Sequence, residues 1–344
     1  MKTKGPLLSG EIALIEALSQ RFGPAPAEVI LGIGDDCAAI ALNRKNNLLL
    51  TVDTLMEGVH FDLAYTSLFQ LGWKSLAVNL SDLAAMGGEP RYALLSLGWP
   101  KGRDPNGALE FAAGLAQAAR EYGVAVIGGD TVASPAGISI TVALTGVVPA
   151  AQMLRRAGAR VGDLIYVTAP LGEAAAGLEV LKRGLEIEPD LKAALTQAQL
   201  APRPQLQAGR LLAQRRMATA LIDLSDGVAT DLFHICRASG VGARIPAATV
   251  PVSPRVKTVA PHLGLDPLKL ALQGGEDYQL LFTTSPEKAA TLTPAFTQAH
   301  LPPPLSLGEI VAGEKVLLLT ATEAEDISGQ GFDHFRLDLK AEEI

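Results

Sequence analysis

The sequence has little cysteine, few aromatic residues and no run of basic residues. Its two cysteines, Cys37 and Cys236, are too few for a disulfide framework or a cysteine-ligated zinc site. The net charge is −7 and no Lys/Arg run appears, which argues against nucleic acid as a partner. Hydrophobic residues make up 48% and charged residues 19%, the profile of a soluble globular protein.

Long apolar segments are also missing. No uninterrupted apolar run has the length of a membrane span. Glu11 and Glu16 interrupt the apolar stretch 7–18, so we interpret it as an amphipathic helix capped by Ser9 rather than as a signal peptide. These absences predict a cytoplasmic protein.

The 344 residues suffice for two domains of ordinary size. Segments with strand character alternate with segments of helical periodicity along the whole chain, which predicts an α/β or α+β fold. We place the boundary near residue 150, giving an N-terminal domain at 1–150 and a C-terminal domain at 151–344.

The best-known nucleotide-binding motifs are absent. Residues 72–75, Gly-Trp-Lys-Ser, lack the first glycine of a phosphate-binding P-loop. The H-R-D and D-F-G signatures of protein kinases do not occur. If the protein uses a nucleotide, it binds it in another way.

A dinucleotide-binding fingerprint is only partly matched by residues 32–37 and the later Asp53. The third glycine position is Cys37, and Asp35 and Asp36 would face a pyrophosphate. The two strands are joined by only about ten residues, too few for a crossover helix. This pattern argues against a Rossmann domain.

One helix is predicted at residues 73–88, with leucines on one face and Gly87-Gly88 as its stop. Its remaining residues are mostly small, so we expect it to be buried on more than one side. Ser75, Asn79 and Asp82 form a polar stripe along it. Burying the Asp82 carboxylate is costly unless a partner meets it. The partner is either an arginine or backbone N–H, or a metal ion.

Aspartates recur where predicted strands run out, with glycine close by. They are Asp35, Asp36, Asp53, Asp130, Asp223 and Asp226. Each one alone is typical of a helix cap or a turn. Brought together with Asp82, however, they would repel strongly unless cations lay among them. Oxygen ligands alone indicate a hard cation such as Mg²⁺, and the pattern therefore predicts a Mg²⁺-dependent enzyme acting on phosphates.

An ordered series of motifs resembles the thiamine-monophosphate kinase family. From residue 30 to 335 the matching segments are 34–38 (GDDCA), 53–55 with 57–61 (DTL, EGVHF), 78–87 (VNLSDLAAMG), 128–131 (GGDT), Arg156 before Gly158, 223–227 (DLSDG), 274–278 (GGEDY) and 331–335 (GFDHF). This family is similar to aminoimidazole ribonucleotide synthetase and selenophosphate synthetase. The resemblance implies a two-domain α/β (α+β) fold, with an N-terminal mixed-sheet domain that dimerises through its strands and a C-terminal α/β domain.

The resemblance also implies roles for individual residues. Several Mg²⁺ ions would be held by Asp36, Thr51, the carbonyl of Val52, Asp53, Asp82, Asp130, Asp223 and Asp226. Among these, Asp53, Asp82 and Asp130 would be the catalytic residues. ATP, the co-substrate, would contact Gly129, Asp130, Arg156 and Ser225. Thiamine monophosphate would contact His60, Glu276 and Phe332. The protein would act as a homodimer in thiamine diphosphate biosynthesis.

The implied chemistry is consistent with the residues present. The acceptor is a phosphate monoester that is already ionised near neutral pH, so no strong general base is required. We therefore expect direct in-line transfer without a phosphoenzyme. Phe332 stands where relatives often have tyrosine, a change that preserves ring stacking but removes a hydroxyl hydrogen bond.

Two other functions remain open from the sequence. One is a sister enzyme that uses ATP to activate an amide or a selenide, which would differ at His60, Glu276 and Phe332. The other is a non-catalytic ATP-binding regulator, which would lack metal-binding aspartates. Taken singly, His60 and Phe332 also fit plain packing roles, and Cys37 fits a small packed residue better than a nucleophile.

Overall fold

The computed structural model describes residues 26–335 together with Ala13, Ile15 and Glu16, which are helical. The rest of the helix predicted at 7–18, including its Ser9 cap, lies outside the described residues. No helix in the described part is long and apolar enough to cross a membrane.

The first half of the chain forms a sheet covered by two helices. Its elements are β1 (Val29–Leu31), β2 (Ala38–Ala41), β3 (Asn46–Met56), α1 (Leu68–Ala85), β4 (Glu89–Pro100), α2 (Asn106–Tyr122), β5 (Ala125–Ser134) and β6 (Ser139–Pro149). The six strands lie in the order β1-β2-β3-β6-β4-β5. All neighbouring strands are antiparallel except β4 and β5, which are parallel. Strand β5 is the last in this order and is therefore an edge strand.

The second half forms a seven-stranded sheet in the order β13-β12-β9-β11-β7-β10-β8. Its strands are β7 (Leu164–Val167), β8 (Ala220–Asp223), β9 (Gly242–Pro246), β10 (Leu280–Thr284), β11 (Leu305–Val311), β12 (Val316–Leu319) and β13 (Ala324–Asp326). Its helices are α3 (Glu173–Lys182), α4 (Pro189–Leu200), α5 (Leu206–Gln214), α6 (Val228–Ser239), α7 (Pro254–Leu263), α8 (Pro267–Gln273) and α9 (Pro286–Gln298). The predicted α/β (α+β) class is confirmed.

Helix α1 lies between the two sheets and determines where the site forms. It begins at a capping box, in which the Ser67 hydroxyl accepts from the Gln70 N–H and the Gln70 side chain accepts from the Ser67 N–H. It stops before Gly87, whose φ of 69° is left-handed, as predicted. The helix contacts β3 and β6 of one sheet and β8 of the other. This double contact explains why it is apolar nearly all round.

Two glycines allow α1 and α2 to cross at close range. A Cβ atom at Gly72 would lie 2.0 Å from the carbonyl oxygen of Phe111, and one at Gly114 would lie 1.8 Å from that of Phe69. Only glycine fits at such backbone contacts. The crossing holds α1 against α2, and the burial of Leu76 on α1 contributes about 2 kcal/mol to stability.

The hydrophobic core continues from one half of the chain into the other. Leu80 on α1 belongs to the same buried cluster as Leu221 on β8 and Phe282 on β10. A second cluster lies wholly in the C-terminal half. The boundary near residue 150 stays a prediction.

The strand pattern around two aspartates differs from expectation. Asp53 and Asp130 were expected just after strands, but they lie inside β3 and β5. Gly128 and Gly129 do not stop β5, because an edge strand tolerates glycine and irregular register. The short strand β2 is a further difference, because it lies within the roughly ten residues that join the two predicted strands and pairs antiparallel with β3.

Candidate active site

The site begins on the face of β3 that packs on α1. Side chains alternate along a strand, so Thr51 and Asp53 lie towards the helix and Val52 lies on the outer face, 60% exposed. The Thr51 hydroxyl donates a hydrogen bond to Oδ2 of Asp82, the acidic residue of the α1 stripe. Within the described chain, Asp82 thus meets a threonine rather than the arginine considered as one alternative.

Three aspartates converge from three different elements. Asp36 follows β1, Asp82 lies on α1, and Asp223 ends β8 of the second sheet. One carboxylate oxygen from each lies within 4.8 Å of the others. One Asp36 oxygen, Oδ2, is buried and has no hydrogen-bond partner in the described structure. The geometry therefore fits a cation held by oxygen atoms.

The acidity of these carboxyls is shifted by their surroundings. Burial, followed by the negative charge of Asp36, raises the pKa of Asp223 to about 8. Burial raises the pKa of Asp53 to about 6. Burial and the charges of Asp53, Asp223 and Asp36 raise the pKa of Asp82 well above its usual value. Crowded carboxyls of this kind gain stability when a cation is placed among them.

Arg156 supplies the positive charge at one side of the cluster. Its Nη2 lies 2.7 Å and its Nε 3.2 Å from Oδ1 of Asp36. Its backbone N–H also donates to the Asp35 carboxylate, at 3.2 Å from Oδ2. The residue expected to contact ATP is thus joined directly to two of the predicted aspartates.

Two loops of the second half are bonded to each other beside the cluster. The N–H of Glu276 donates to the Ser225 carbonyl, and the N–H of Tyr278 donates to the Leu224 carbonyl, both at 2.8 Å. Glu276 and Tyr278 have φ of 68° and 46°, a left-handed conformation rare for residues with a side chain. Such strained positions persist where surrounding contacts hold them and are concentrated at functional sites.

A buried lysine reaches the second loop from α1. Lys74 is 2% exposed, and its Nζ lies 2.6 Å from Oε1 of Glu276. Gln199, at the end of α4, donates from Nε2 to the other Glu276 oxygen, Oε2. Two elements that are distant in sequence thereby hold one carboxylate.

The segment 331–335 closes this region against the first half of the chain. The His334 ring lies 5.0 Å from the His60 ring and 4.7 Å from the Phe332 ring, measured between centroids. Phe332 is half exposed, and its N–H donates to the Asp226 carbonyl at 3.0 Å. His60 and Phe332 are therefore brought to one place, with His334 between them.

The protonation of His60 follows from its contacts. Its Nδ1 accepts a hydrogen bond from the Met56 N–H at 3.0 Å. Burial, followed by the neighbouring His334, lowers the pKa of His60. The neutral ring consequently carries its proton on Nε2.

Asp130 lies apart from the aspartate cluster. Asp130 on β5 pairs with Ser96 on β4, and Ser96 pairs with Thr141 on β6. Thr141 in turn pairs with Thr54 on β3. Paired residues point to the same side of a sheet, so all four lie on its outer face. Asp53 faces the other way and is three strand spacings distant, roughly 14 Å. Within one copy of the chain, Asp130 and Asp53 do not meet.

Asp226 has a different place from Asp223, although only two residues separate them. Its N–H and that of Gly227 both donate to Oδ2 of the buried Asp231, at 3.2 and 3.0 Å. Burial, and then the charge of Asp226, raises the pKa of Asp231 well above its usual value. Asp226 is not one of the three clustered aspartates.

Comparison with known proteins identifies the family. The models for the N-terminal and C-terminal domains of AIR synthase related protein match residues 34–148 and 160–319. The thiamine-monophosphate kinase of Escherichia coli strain K12 is 39% identical over 331 residues, which is 95% of this chain and 98% of the relative. The chain belongs to the thiamine-monophosphate kinase family.

Solved structures agree with this family. AaThiL complexed with AMPPCP and TMP superposes with a TM-score of 0.82 at 34% identity, covering 95% of this chain and 97% of that one. The hydrogenase maturation protein HypE in complex with ATP has a TM-score of 0.67 at 19% identity and shares the fold. The expected resemblance is confirmed.

Several residues of this site were missed from the sequence. Lys74 lies in residues 72–75, which do not match a P-loop, and the available signal was a lysine in an otherwise apolar helix. His334 lay in the matched segment 331–335 without a role. Gln199 gave no signal, because α4 was not predicted and its partner Glu276 is remote in sequence.

Proposed function

We propose that this chain transfers the γ-phosphoryl group of ATP to thiamine monophosphate, forming thiamine diphosphate and ADP. The observation that carries the proposal is the convergence of Asp36, Asp82 and Asp223 at the junction of the two sheets. The relatives named thiamine-monophosphate kinase match nearly the full chain, which supports the same assignment. We assign the catalytic roles to Asp53, Asp82 and Asp130, the last of which lies on the outer face of the first sheet.

The residues present suit Mg²⁺. The donor set is entirely oxygen, the carboxyls are crowded, and Asp36 keeps a buried oxygen without a partner in the described structure. We propose that Asp36, Asp53, Asp82 and Asp223, with Thr51 and the Val52 carbonyl, hold magnesium, and that Asp130 and Asp226 bind further ions. When bound, Mg²⁺ would neutralise charge on the phosphates and on the transferred group.

The ATP contacts would come from both halves of the chain. Arg156 adjoins the aspartates and presents a guanidinium suited to phosphate oxygens. Ser225 lies in the loop after β8, next to Asp226. Gly129, with φ of 151°, packs on β4, where a Cβ would lie 1.8 Å from the Leu95 carbonyl oxygen, so only glycine fits there. The positions of Arg156 and Ser225 support the ATP-contact roles implied by the family, and Gly129 is proposed from the family resemblance alone.

The acceptor would lie between the loop carrying His60 and the segment 331–335. Phe332 offers a half-exposed ring for stacking on a thiamine ring. Glu276 offers a carboxylate held by Lys74. We propose that these three residues line the space that the acceptor occupies.

The transfer would need positioning and charge stabilisation rather than proton abstraction. The acceptor is a phosphate already ionised near neutral pH, so the aspartates serve as metal ligands and not as bases. We propose in-line transfer without a phosphoenzyme. If mixing with ATP alone left a phosphorylated aspartate on the protein, this mechanism would be wrong.

A homodimer would complete the site. Exposed apolar side chains concentrate on the outer face and edge of the first sheet: Val52, Met56, Tyr92, Leu94, Val126, Ile127 and Val132. We propose that two copies pair through these strands, which would cover this surface. Pairing would also bring Asp130 of one copy towards the aspartate cluster of the other copy. Within a single chain, Asp130 is separated from that cluster.

Two further expectations belong to the proposal. The domains would span 1–150 and 151–344, each with its own sheet. The protein would work in the cytoplasm, where its two cysteines, both buried, would stay reduced.

The direct test is product formation. The purified protein is incubated with ATP, Mg²⁺ and thiamine monophosphate, and thiamine diphosphate and ADP are quantified by chromatography. We expect equal amounts of both products, none with EDTA and none with free thiamine as acceptor. Binding of ATP without formation of the diphosphate would overturn the acceptor assignment and would favour the sister-enzyme or regulator alternatives.

A further inference from the structure

Lys74 and Gln199 hold Glu276 from two sides. The Lys74 ammonium lies 2.6 Å from Oε1, and the Gln199 amide nitrogen donates to Oε2. Lys74 is 2% exposed and Gln199 3%, whereas the Glu276 side chain keeps 24% of its surface accessible. Of these three side chains, only the Glu276 carboxylate is therefore accessible to a ligand.

The orientation of Glu276 is imposed by its surroundings. Its φ of 68° is left-handed, and its N–H is bonded to the Ser225 carbonyl. A residue with a side chain stays in this conformation only where several contacts hold it. Lys74, Gln199 and Ser225 supply those contacts, so the carboxylate is fixed before any acceptor arrives.

Helix α1 links this carboxylate to the aspartate cluster. Lys74 and Asp82 lie on the same helix, and Asp82 is eight positions after Lys74, a rise of about 12 Å. This is the scale of an extended thiamine monophosphate molecule. A phosphate placed at Asp82 would therefore put the pyrimidine end of the acceptor near Glu276.

Gln199 carries a second feature that points to a ligand. Its carbonyl oxygen, Oε1, is buried and has no hydrogen-bond partner among the described residues. A buried acceptor without a partner is unfavourable unless a donor is supplied. The Glu276 carboxylate beside it is also an acceptor. A ligand that bonds to both Gln199 and Glu276 must therefore be a hydrogen-bond donor.

We propose that Glu276 and Gln199 together recognise the amino group of the acceptor's pyrimidine ring, and that Lys74 is the positioning residue that holds Glu276. This inference rests on the proposed function. The exocyclic amino group is the N–H donor that thiamine monophosphate offers. Lys74 compensates the negative charge of Glu276. The acceptor is therefore selected because it donates a hydrogen bond, and not because it carries a positive charge.

The test compares thiamine monophosphate with its analogue in which a carbonyl oxygen replaces the amino group. That analogue presents a hydrogen-bond acceptor to Gln199 and Glu276, which require a donor. For the wild type we expect kcat/KM to favour the amino form by at least about 100-fold. In Gln199→Leu and in Lys74→Met this preference should fall by about tenfold or more, mainly through KM of the amino form, while KM for ATP stays within about twofold.

Matched controls separate recognition from general damage. Gln197→Leu changes an exposed glutamine on the same helix, and Lys192→Met removes a partly exposed lysine paired with Glu186. Both should keep the wild-type preference. Thermal unfolding of each variant shows whether it folds, and Gln199→Leu alone decides the question if Lys74→Met does not fold.

Two failures are distinguishable. If the wild type forms thiamine diphosphate but Gln199→Leu lowers kcat/KM equally for both acceptors, the recognition role is wrong and Gln199 is merely structural. If the wild type forms no thiamine diphosphate from either acceptor, the proposed function itself fails.

Discussion

Arg156 and Asp36 form an ion pair at the junction of the two halves of the chain. Nη2 of Arg156 lies 2.7 Å from Oδ1 of Asp36, whose side chain has no exposed surface. Burial raises the pKa of Asp36, and the guanidinium opposes that shift. The arginine expected at the ATP phosphates therefore also balances the charge of a metal-ligand candidate.

Replacing Arg156 should affect both stability and ATP use. Arg156→Met leaves Asp36 buried without its cation, and breaking a buried pair of this kind costs about 3–5 kcal/mol. We expect a lower free energy of unfolding in urea titrations and a KM for ATP raised at least about tenfold. Arg155→Met is the control, because Arg155 is exposed. Equal effects of the two substitutions would contradict the role given to the ion pair.

Asp82→Asn tests the centre of the aspartate cluster. The substitution keeps the shape of the side chain and removes one of several repelling charges, so we expect the fold to be retained with equal or higher stability. Turnover should fall by about 100- to 1,000-fold, because a charged ligand is lost. Circular dichroism, thermal unfolding and kcat measure these effects.

The control for that variant is Asp266→Asn. Asp266 caps α8 by accepting from the Leu268 N–H, and asparagine caps equally well. It should retain wild-type turnover. A turnover near wild type in Asp82→Asn as well would refute the central assignment.

Stability should depend on pH in a direction set by the raised carboxyl pKa values. The pKa of Asp223 is raised from 3.8 to about 8 and that of Asp53 to about 6. A carboxyl whose pKa is higher in the folded than in the unfolded chain stabilises the folded state at low pH. This stabilisation starts to fall near pH 4, where the unfolded carboxyls ionise, and is lost by about pH 6 for Asp53 and about pH 8 for Asp223. Bound Mg²⁺ should offset the loss.

The measurement is the shift in Tm on adding Mg²⁺ in EDTA-treated protein, at pH 5.5 and at pH 8, with NaCl of equal ionic strength as the control. We expect the larger shift at pH 8, because more carboxylates are then ionised and the ion binds the folded state more tightly. A shift equal at the two pH values, or no greater than that from NaCl, would show that the cluster is not a magnesium site.

The close crossing of α1 and α2 offers a test remote from the chemistry. Gly114→Ala would place a Cβ atom 1.8 Å from the Phe69 carbonyl oxygen, so the helices must separate. We expect a loss of about 1–3 kcal/mol or more in the free energy of unfolding, measured by chemical denaturation. Gly32→Ala, where a Cβ would meet nothing within 4 Å, is the matched control. If both variants unfold alike, the crossing is not tight.

The sequence predicted local elements better than their arrangement in space. Helical periodicity and the Gly87 stop located α1 and the Asp82 stripe, because both signals are local. The Lys74–Glu276 pair could not be predicted, since it depends on how the second sheet packs on α1. The placement of Asp130 inside β5 differs from the prediction, because paired glycines are typical of a strand end, whereas an edge strand accommodates them.

The position of segment 331–335 has a consequence for synthesis on the ribosome. Phe332 and His334 emerge after every other residue assigned to the site, yet His334 packs on the ring of His60. A nascent chain that has already brought its aspartates together therefore still lacks one wall of the proposed acceptor pocket. Acceptor binding would be the last property the polypeptide acquires, and a prematurely terminated chain would not gain it.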